Sequence, residues 1–284
     1  MKAPEGFLTK DKFETDNKLY PQNTVAGHQL IDDPDQLITP DSLFVVTPCM
    51  GTLMLSYVKS VLELQSIFNG KRKPIKFHMV QSSLVTQGRN LCVQAFLNSN
   101  MSHMLFVDSD IEFDPTSIEW MIKSDKDIVL TPYPMKVFDW NKAKKMSEES
   151  GRSLEECPHL YCLDFPDSQN IESVDGLVEI TKGPAGCMLI KRGVFDKMIK
   201  EYPHLKIDQK QLVNGIMSTS GNIYNFFDSW FDSKTGLFLG EDYAFCQRWT
   251  DIGGKIYANV DAYITHHGNH AFRGRFIDEG KKVK

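Results

Sequence analysis

Met104-Leu105-Phe106-Val107-Asp108-Ser109-Asp110 is the stretch on which the fold turns. Its four apolar residues read as a buried strand, and two carboxylates arrive at the strand's C-terminal end. In an open α/β sheet that end is where ligand crevices form. An unpaired buried carboxylate is costly, so two acids one residue apart need a counter-charge. A hard divalent cation, Mg2+ or Mn2+, shared with the phosphates of a nucleotide, is the simplest partner.

Working outward, Leu43-Phe44-Val45-Val46-Thr47 is a short strand stopped by Pro48. Met54, Tyr57, Val58, Val61 and Leu62 then recur at helical spacing up to Phe68. Residues 75–80 form a second strand. Gln87-Gly88-Arg89-Asn90 opens a second helix, with Leu91, Cys92, Ala95 and Phe96 on its buried stripe. Beyond the acidic pair, Asp114 caps a helix that has Pro115 at its first position. Ile118, Met121 and Ile122 supply its inner face, and 127–131 is the next strand. Strands alternating with helices predict an α/β fold with a largely parallel sheet and right-handed crossovers. This is a Rossmann-like half without a Gly-rich dinucleotide fingerprint.

The second half is less regular. Residues 141–157 are charged and Ser-rich, a solvated helix or lid. Residues 176–180 and 186–190 read as strands around Gly183-Pro184-Ala185-Gly186, followed by a helix through Val194, Phe195 and Met198. Residues 202–240 are loop-like and aromatic. Glu241-Asp242 opens a helix that ends at Gly253-Gly254. Short strands near Ile256 and Tyr263 lead to His266-His267-Gly268.

The chain has 284 residues and a formal net charge of -5, which gives no basic field to draw nucleic acid or an anionic membrane. No apolar segment is long enough to span a bilayer, and no signal-peptide pattern opens the chain. A cytoplasmic location is expected, the host cytoplasm if the chain is virus-encoded. The six cysteines follow no framework spacing. Reduced thiols are expected, and Cys157 to Cys162 has no second half that would complete a zinc site. Residues 1–40 form an extended arm, 41–276 one domain and 277–284 a basic tail.

Six segments, taken in order, resemble the GT-A glycosyltransferases, especially those of large DNA viruses (chlorovirus-like) and phages. They are 84–90, Phe106-Val107-Asp108-Ser109-Asp110, Tyr133-Pro134-Met135-Lys136, 186–192, Gly240-Glu241-Asp242-Tyr243-Ala244-Phe245-Cys246 and His266-His267-Gly268. The resemblance covers about 43–276 and implies a nucleotide-binding half, 41–136, followed by an acceptor-binding half, 137–276. It also implies a UDP-sugar donor, Mn2+ or Mg2+ as cofactor and a glycan hydroxyl as acceptor. The chlorovirus-like relatives make xylose a candidate sugar.

The chemistry asks for these groups. A nucleoside diphosphate gains negative charge as the sugar's anomeric bond breaks, and a cation bridging both phosphates stabilises that charge. The resemblance implies Asp110 and His266 as metal ligands, with Asp108 binding the donor ribose or the metal through water. Ser109 lies between the two acids. Thr47, Pro48 and Cys49 would cradle uracil and ribose, Arg89 would meet the base or pyrophosphate, and Lys136 would reach a phosphate. Inverting transfer needs a carboxylate opposite the leaving group, and Asp242 is expected as that base, with Glu241 orienting it or binding the acceptor; a retaining mechanism would leave Asp242 as a binding residue. Gly183 and Gly186 would let the backbone approach the donor sugar, and Trp230 would offer an acceptor platform. His267 and His270 are expected to be structural.

Three other readings compete. A sugar nucleotidyltransferase shares the acidic site, but residues 47–52 lack its basic Gly-rich loop. A zinc hydrolase on His266, His267 and His270 lacks helical ligand spacing. A non-catalytic carbohydrate-binding protein on the same scaffold is the third.

Overall fold

The fold comes from a computed structural model. It describes residues 37–279, apart from 152, 155–159, 168–170, 209–210, 214–215, 219–222 and 234–235. Most of the expected arm, Cys157 and His159 of the rejected zinc motif, and the end of the basic tail therefore lie outside the described residues.

The first half runs β1 (Thr39–Cys49), α1 (Leu55–Gly70), β2 (Ile75–Gln81), α2 (Val85–Leu97), β3 (Met101–Val107), β4 (Ile111–Phe113), α3 (Pro115–Lys123) and β5 (Ile128–Leu130). The second continues with α4 (Trp140–Ser150), β6 (Ser173–Val174), β7 (Leu177–Ile180), β8 (Cys187–Lys191) and α5 (Arg192–Glu201). Two small hairpins follow, β9 (Gln211–Val213) with β10 (Ile216–Ser218) and β11 (Trp230–Asp232) with β12 (Leu237–Leu239). The described part closes on α6 (Glu241–Asp251), β13 (Ile256–Asn259), β14 (Ile264–His267) and β15 (Ala271–Gly274).

Eight strands make the central sheet, in the order β2-β1-β3-β8-β5-β13-β7-β6. Six of them point the same way, while β7 and β8 run against the rest. The α/β, Rossmann-like arrangement expected from the alternating pattern is therefore present. The alternating pattern does not predict the placement of β8, which comes from the second half and is inserted antiparallel between β3 and β5.

Strand alternation divides the core in two. Leu43 and Val45 of β1, with Leu105 and Val107 of β3, pack against Tyr57, Leu64 and Phe68 of α1 and Met121 of α3. Phe44, Val46, Met104 and Phe106 point the other way, onto Phe96 of α2, Phe195 of α5 and Phe245 of α6. Both faces are covered, which explains why these strands read as unbroken apolar runs. The start of α3 is as expected, with Asp114 accepting the Thr116 N–H at 2.9 Å and Pro115 in the first turn.

A second sheet, β15-β14-β4, carries the end of the acidic segment. Its register pairs His266 with Ile111 and Thr265 with Glu112. The Ser60 hydroxyl of α1 fastens β4 by donating to the Phe113 carbonyl at 2.9 Å and accepting its N–H at 3.2 Å.

Candidate active site

The parallel strands β1, β2, β3 and β5 deliver their C-terminal ends to one edge, and the candidate residues gather there. Asp108 leaves β3 with its N–H donated to the Gly186 carbonyl at 2.9 Å. The Ser109 carbonyl accepts the Met54 N–H at 2.9 Å, which ties the acidic turn to the loop after β1. The Asp110 carbonyl accepts the His267 N–H at 2.8 Å, so β14 is stitched on directly beyond it.

Arg89 is the hub. Although it lies in the first turns of α2, it is only 3% exposed. Its Nη2 donates to Asp108 Oδ2 at 3.1 Å and its Nε to Glu241 Oε1 at 3.2 Å. Its guanidinium carbon sits 5.2 Å from the Phe106 ring centroid. Burial would lower its pKa, but the Asp108 and Glu241 charges outweigh that and raise it. Two buried atoms in this cluster have no partner among the described residues, Arg89 Nη1 and Asp108 Oδ1. One is a donor and the other an acceptor.

Asp110 faces a different group. Lys136 forms an ion pair with its Oδ2, and His266 Nε2 lies 3.7 Å from the same oxygen. Burial would raise the Asp110 pKa; His266 and Lys136 overcome it and bring the value down to about 2. His266 Nδ1 is 2.9 Å from the Pro134 carbonyl. A carbonyl only accepts, so Nδ1 carries a hydrogen and Nε2 is the nitrogen turned toward Asp110, where a proton pairs with the carboxylate and a metal cation would take that proton's place. A ring nitrogen and a carboxylate turned toward each other suit a shared cation, and a histidine fixed through its other nitrogen is the usual metal-ligand arrangement. Among the described residues no three His, Cys, Asp or Glu side chains are grouped to hold a metal ion. The pair fits a cation whose remaining ligands come from substrate phosphates.

Glu241 and Asp242 open α6, with Gly240 as its N-cap. Asp242 is not in the Arg89 bridge. Burial, and then the neighbouring Glu241 charge, raise its pKa. Asp242 Oδ1 accepts the Tyr243 N–H at 2.8 Å.

Other expected residues sit behind or beside this group. Thr47 is buried, its hydroxyl 2.6 Å from the Tyr57 hydroxyl, so it braces the first loop from below. Pro48 packs where a Cβ on Gly88 would stand, 3.2 Å away, and Cys49 is half-buried at the end of β1. A Cβ on Gly186 would meet the Tyr133 hydroxyl at 2.6 Å, and one on Gly183 would meet Leu130 at 2.7 Å. The neighbours that require these glycines are thus an aromatic ring and the core. At Trp230, the Arg248 guanidinium lies 4.5 Å from the ring centroid, while Phe231 and Phe238 of the same hairpin are exposed.

Two contributors escaped the sequence reading. Tyr133 packs edge-on against His266, with ring centroids 4.8 Å apart, and its hydroxyl reaches the Gly186 main chain. Asn90 accepts the Phe227 N–H at 2.9 Å and donates to the Phe227 carbonyl at 3.1 Å, which pins the 223–227 segment to α2. The Tyr-Pro pair after β5 was the available signal for Tyr133. A polar residue next to Arg89 was the only signal for Asn90.

No protein-family model matches the sequence, and no curated protein matches it. Among solved structures, A197 from STIV is similar over 80% of this chain and 86% of that chain, at 16% identity and a TM-score of 0.44. The 4-diphosphocytidyl-2C-methyl-D-erythritolsynthase from Anaerococcus prevotii is similar over 74% of this chain and 99% of that chain, at 10% identity and a TM-score of 0.31. Likeness at this level transfers no residue role, and the chemistry rests on the site itself.

Proposed function

We propose that this chain is a metal-dependent glycosyltransferase that moves a sugar from a UDP-sugar to a glycan hydroxyl. One observation carries the reading. Asp110 and a His266 held through Nδ1 form a cation-ready pair, at the sheet edge that also holds the Asp108–Arg89–Glu241 bridge. Asp110 and His266 would hold Mn2+ or Mg2+, which when bound supplies positive charge against the departing diphosphate.

The residues then divide the work. Asp108, whose side chain is 26% exposed and is held by Arg89, takes a donor hydroxyl. Lys136 turns from Asp110 toward the phosphates as a point charge. Glu241, fixed by Arg89, shapes the start of α6 so that Asp242 meets the acceptor. Asp242 takes the acceptor hydroxyl's proton as oxygen attacks the anomeric carbon, and the bond to the diphosphate breaks with its electrons leaving on UDP. The raised Asp242 pKa suits a base, because proton affinity grows as the carboxylate is desolvated.

Asp242 works deprotonated, so transfer declines on acidification at a pH above the ordinary carboxylate value of about 4. Replacing Asp242 with Asn should leave UDP binding near normal while lowering kcat by about 10²–10⁴-fold and removing that acid limb. Donor screening by nucleotide release, with xylose among the sugars, gives the readout. A variant that transfers at the parent rate places the base elsewhere. Pyrophosphate formed from UTP and a sugar phosphate would make the enzyme a nucleotidyltransferase instead.

A further inference from the structure

We propose that the cleft on the other side of the β4–β14–β15 sheet is a second ligand site, suited to a neutral oligosaccharide. His267 and His270 line it, so it gives a use to the two histidines that the metal pair does not absorb. The cleft has a volume of about 920 Å³ and lies between α1 and the small sheet. That is the size of pockets that enclose a ligand of several rings.

Its floor is set by strand register. Glu112, Thr265 and Arg273 stand opposite one another in one row across the three strands. Alternation along β14 brings His267 to the same side as Thr265, away from His266, and Tyr263 lines the cleft just before the strand. The charges are nearly balanced and mostly paired. His267 Nε2 is 2.7 Å from Glu112, Arg275 is 2.8 Å from Asp278, and Lys59 is 3.9 Å from Glu63. Arg273 is exposed and has no carboxylate partner among the described residues; its guanidinium carbon lies 5.2 Å from the Tyr263 ring centroid, and that of Arg275 lies 4.8 Å from it. Tyr263 is itself 46% exposed.

This lining selects among ligand classes. A phosphate-rich ligand would meet the carboxylates of Glu63, Glu112 and Asp114, and a polycation would meet Lys59, Arg273 and Arg275. A sugar hydroxyl both donates and accepts, so it can insert into each acid–base pair without stranding a charge. The half-exposed tyrosine and the two guanidinium planes beside it supply flat surfaces with polar edges, which suit a sugar ring and its hydroxyls. The proposal needs neither metal nor nucleotide and stands apart from the transferase reading.

The test is a titration of EDTA-treated, nucleotide-free protein with neutral gluco-, xylo-, galacto- and manno-oligosaccharides, read by calorimetry. At least one series should bind, and Tyr263→Ala and Arg273→Ala should each weaken it by about tenfold. Arg273 is on the surface, so its truncation opens no core, and circular dichroism confirms that both variants are folded. The proposal is overturned if no neutral series binds up to millimolar concentration. It is equally overturned if only acidic oligosaccharides bind, or if Asp242→Asn abolishes binding while Tyr263→Ala and Arg273→Ala leave it intact.

Discussion

The two sides of β14 carry the same residue types and do different things with them. On one side His266 Nε2 lies 3.7 Å from Asp110 and its Nδ1 is held by the Pro134 carbonyl. On the other, His267 Nε2 lies 2.7 Å from Glu112, in an open cleft. The first histidine is oriented by a neutral main-chain acceptor and leaves its other nitrogen toward a carboxylate. The second has already used that nitrogen on its carboxylate. On the proposed reading, a His–carboxylate pair would become a metal site through what the second nitrogen does, and not through composition.

Breaking each pair in turn tests this contrast. The largest effect should come from Asp110→Asn, which removes the charge that answers the cation. Transfer should fall by about 10²–10³-fold, measured as initial rate at saturating Mn2+. An unchanged rate would mean that the cation is held elsewhere. Next, His266→Ala should weaken apparent Mn2+ affinity by about 10- to 100-fold, while His267→Ala should shift it by less than about threefold. Equal losses in the two variants would erase the distinction between the sides.

Lys136→Met sharpens the comparison at smaller amplitude. Lys136 and His266 together hold the Asp110 pKa down at about 2. A carboxylate whose pKa is depressed in the folded state contributes stability above its unfolded pKa, and that stability is lost as pH falls through the folded value. Without the ammonium, acid unfolding followed by circular dichroism should begin at higher pH. The variant should also bind free Mn2+ several-fold more tightly, because no cation competes for Asp110, yet bind UDP less well. An acid transition that stays in place would show that Lys136 does not control the carboxylate.

Much of the scaffold was legible because β1 and β3 are buried on both faces and their apolar runs are unbroken. The phase of α1 departs from the expected one. Its inner stripe is Tyr57, Val61, Leu64 and Phe68, whereas Leu62, one step outside that spacing, is 58% exposed. At the site, the acidic pair was readable from its place after a strand, but the burial of Arg89 was not. An arginine opening a helix is ordinarily solvated, and what desolvates this one includes Glu241, 152 residues away. The approach of His266 to Asp110 depends on β4, a strand of three residues that local pattern does not reveal. Gly186 was readable as a close approach, but not that Tyr133 is what approaches it.

The central claim is that Asp110 and His266 hold a cation which the donor diphosphate completes. Calorimetric titration of UDP into the protein, with Mn2+ and then with EDTA, tests it most directly. The account predicts binding that requires Mn2+ and disappears in Asp110→Asn. UDP binding of equal strength in EDTA, or in that variant, would contradict it.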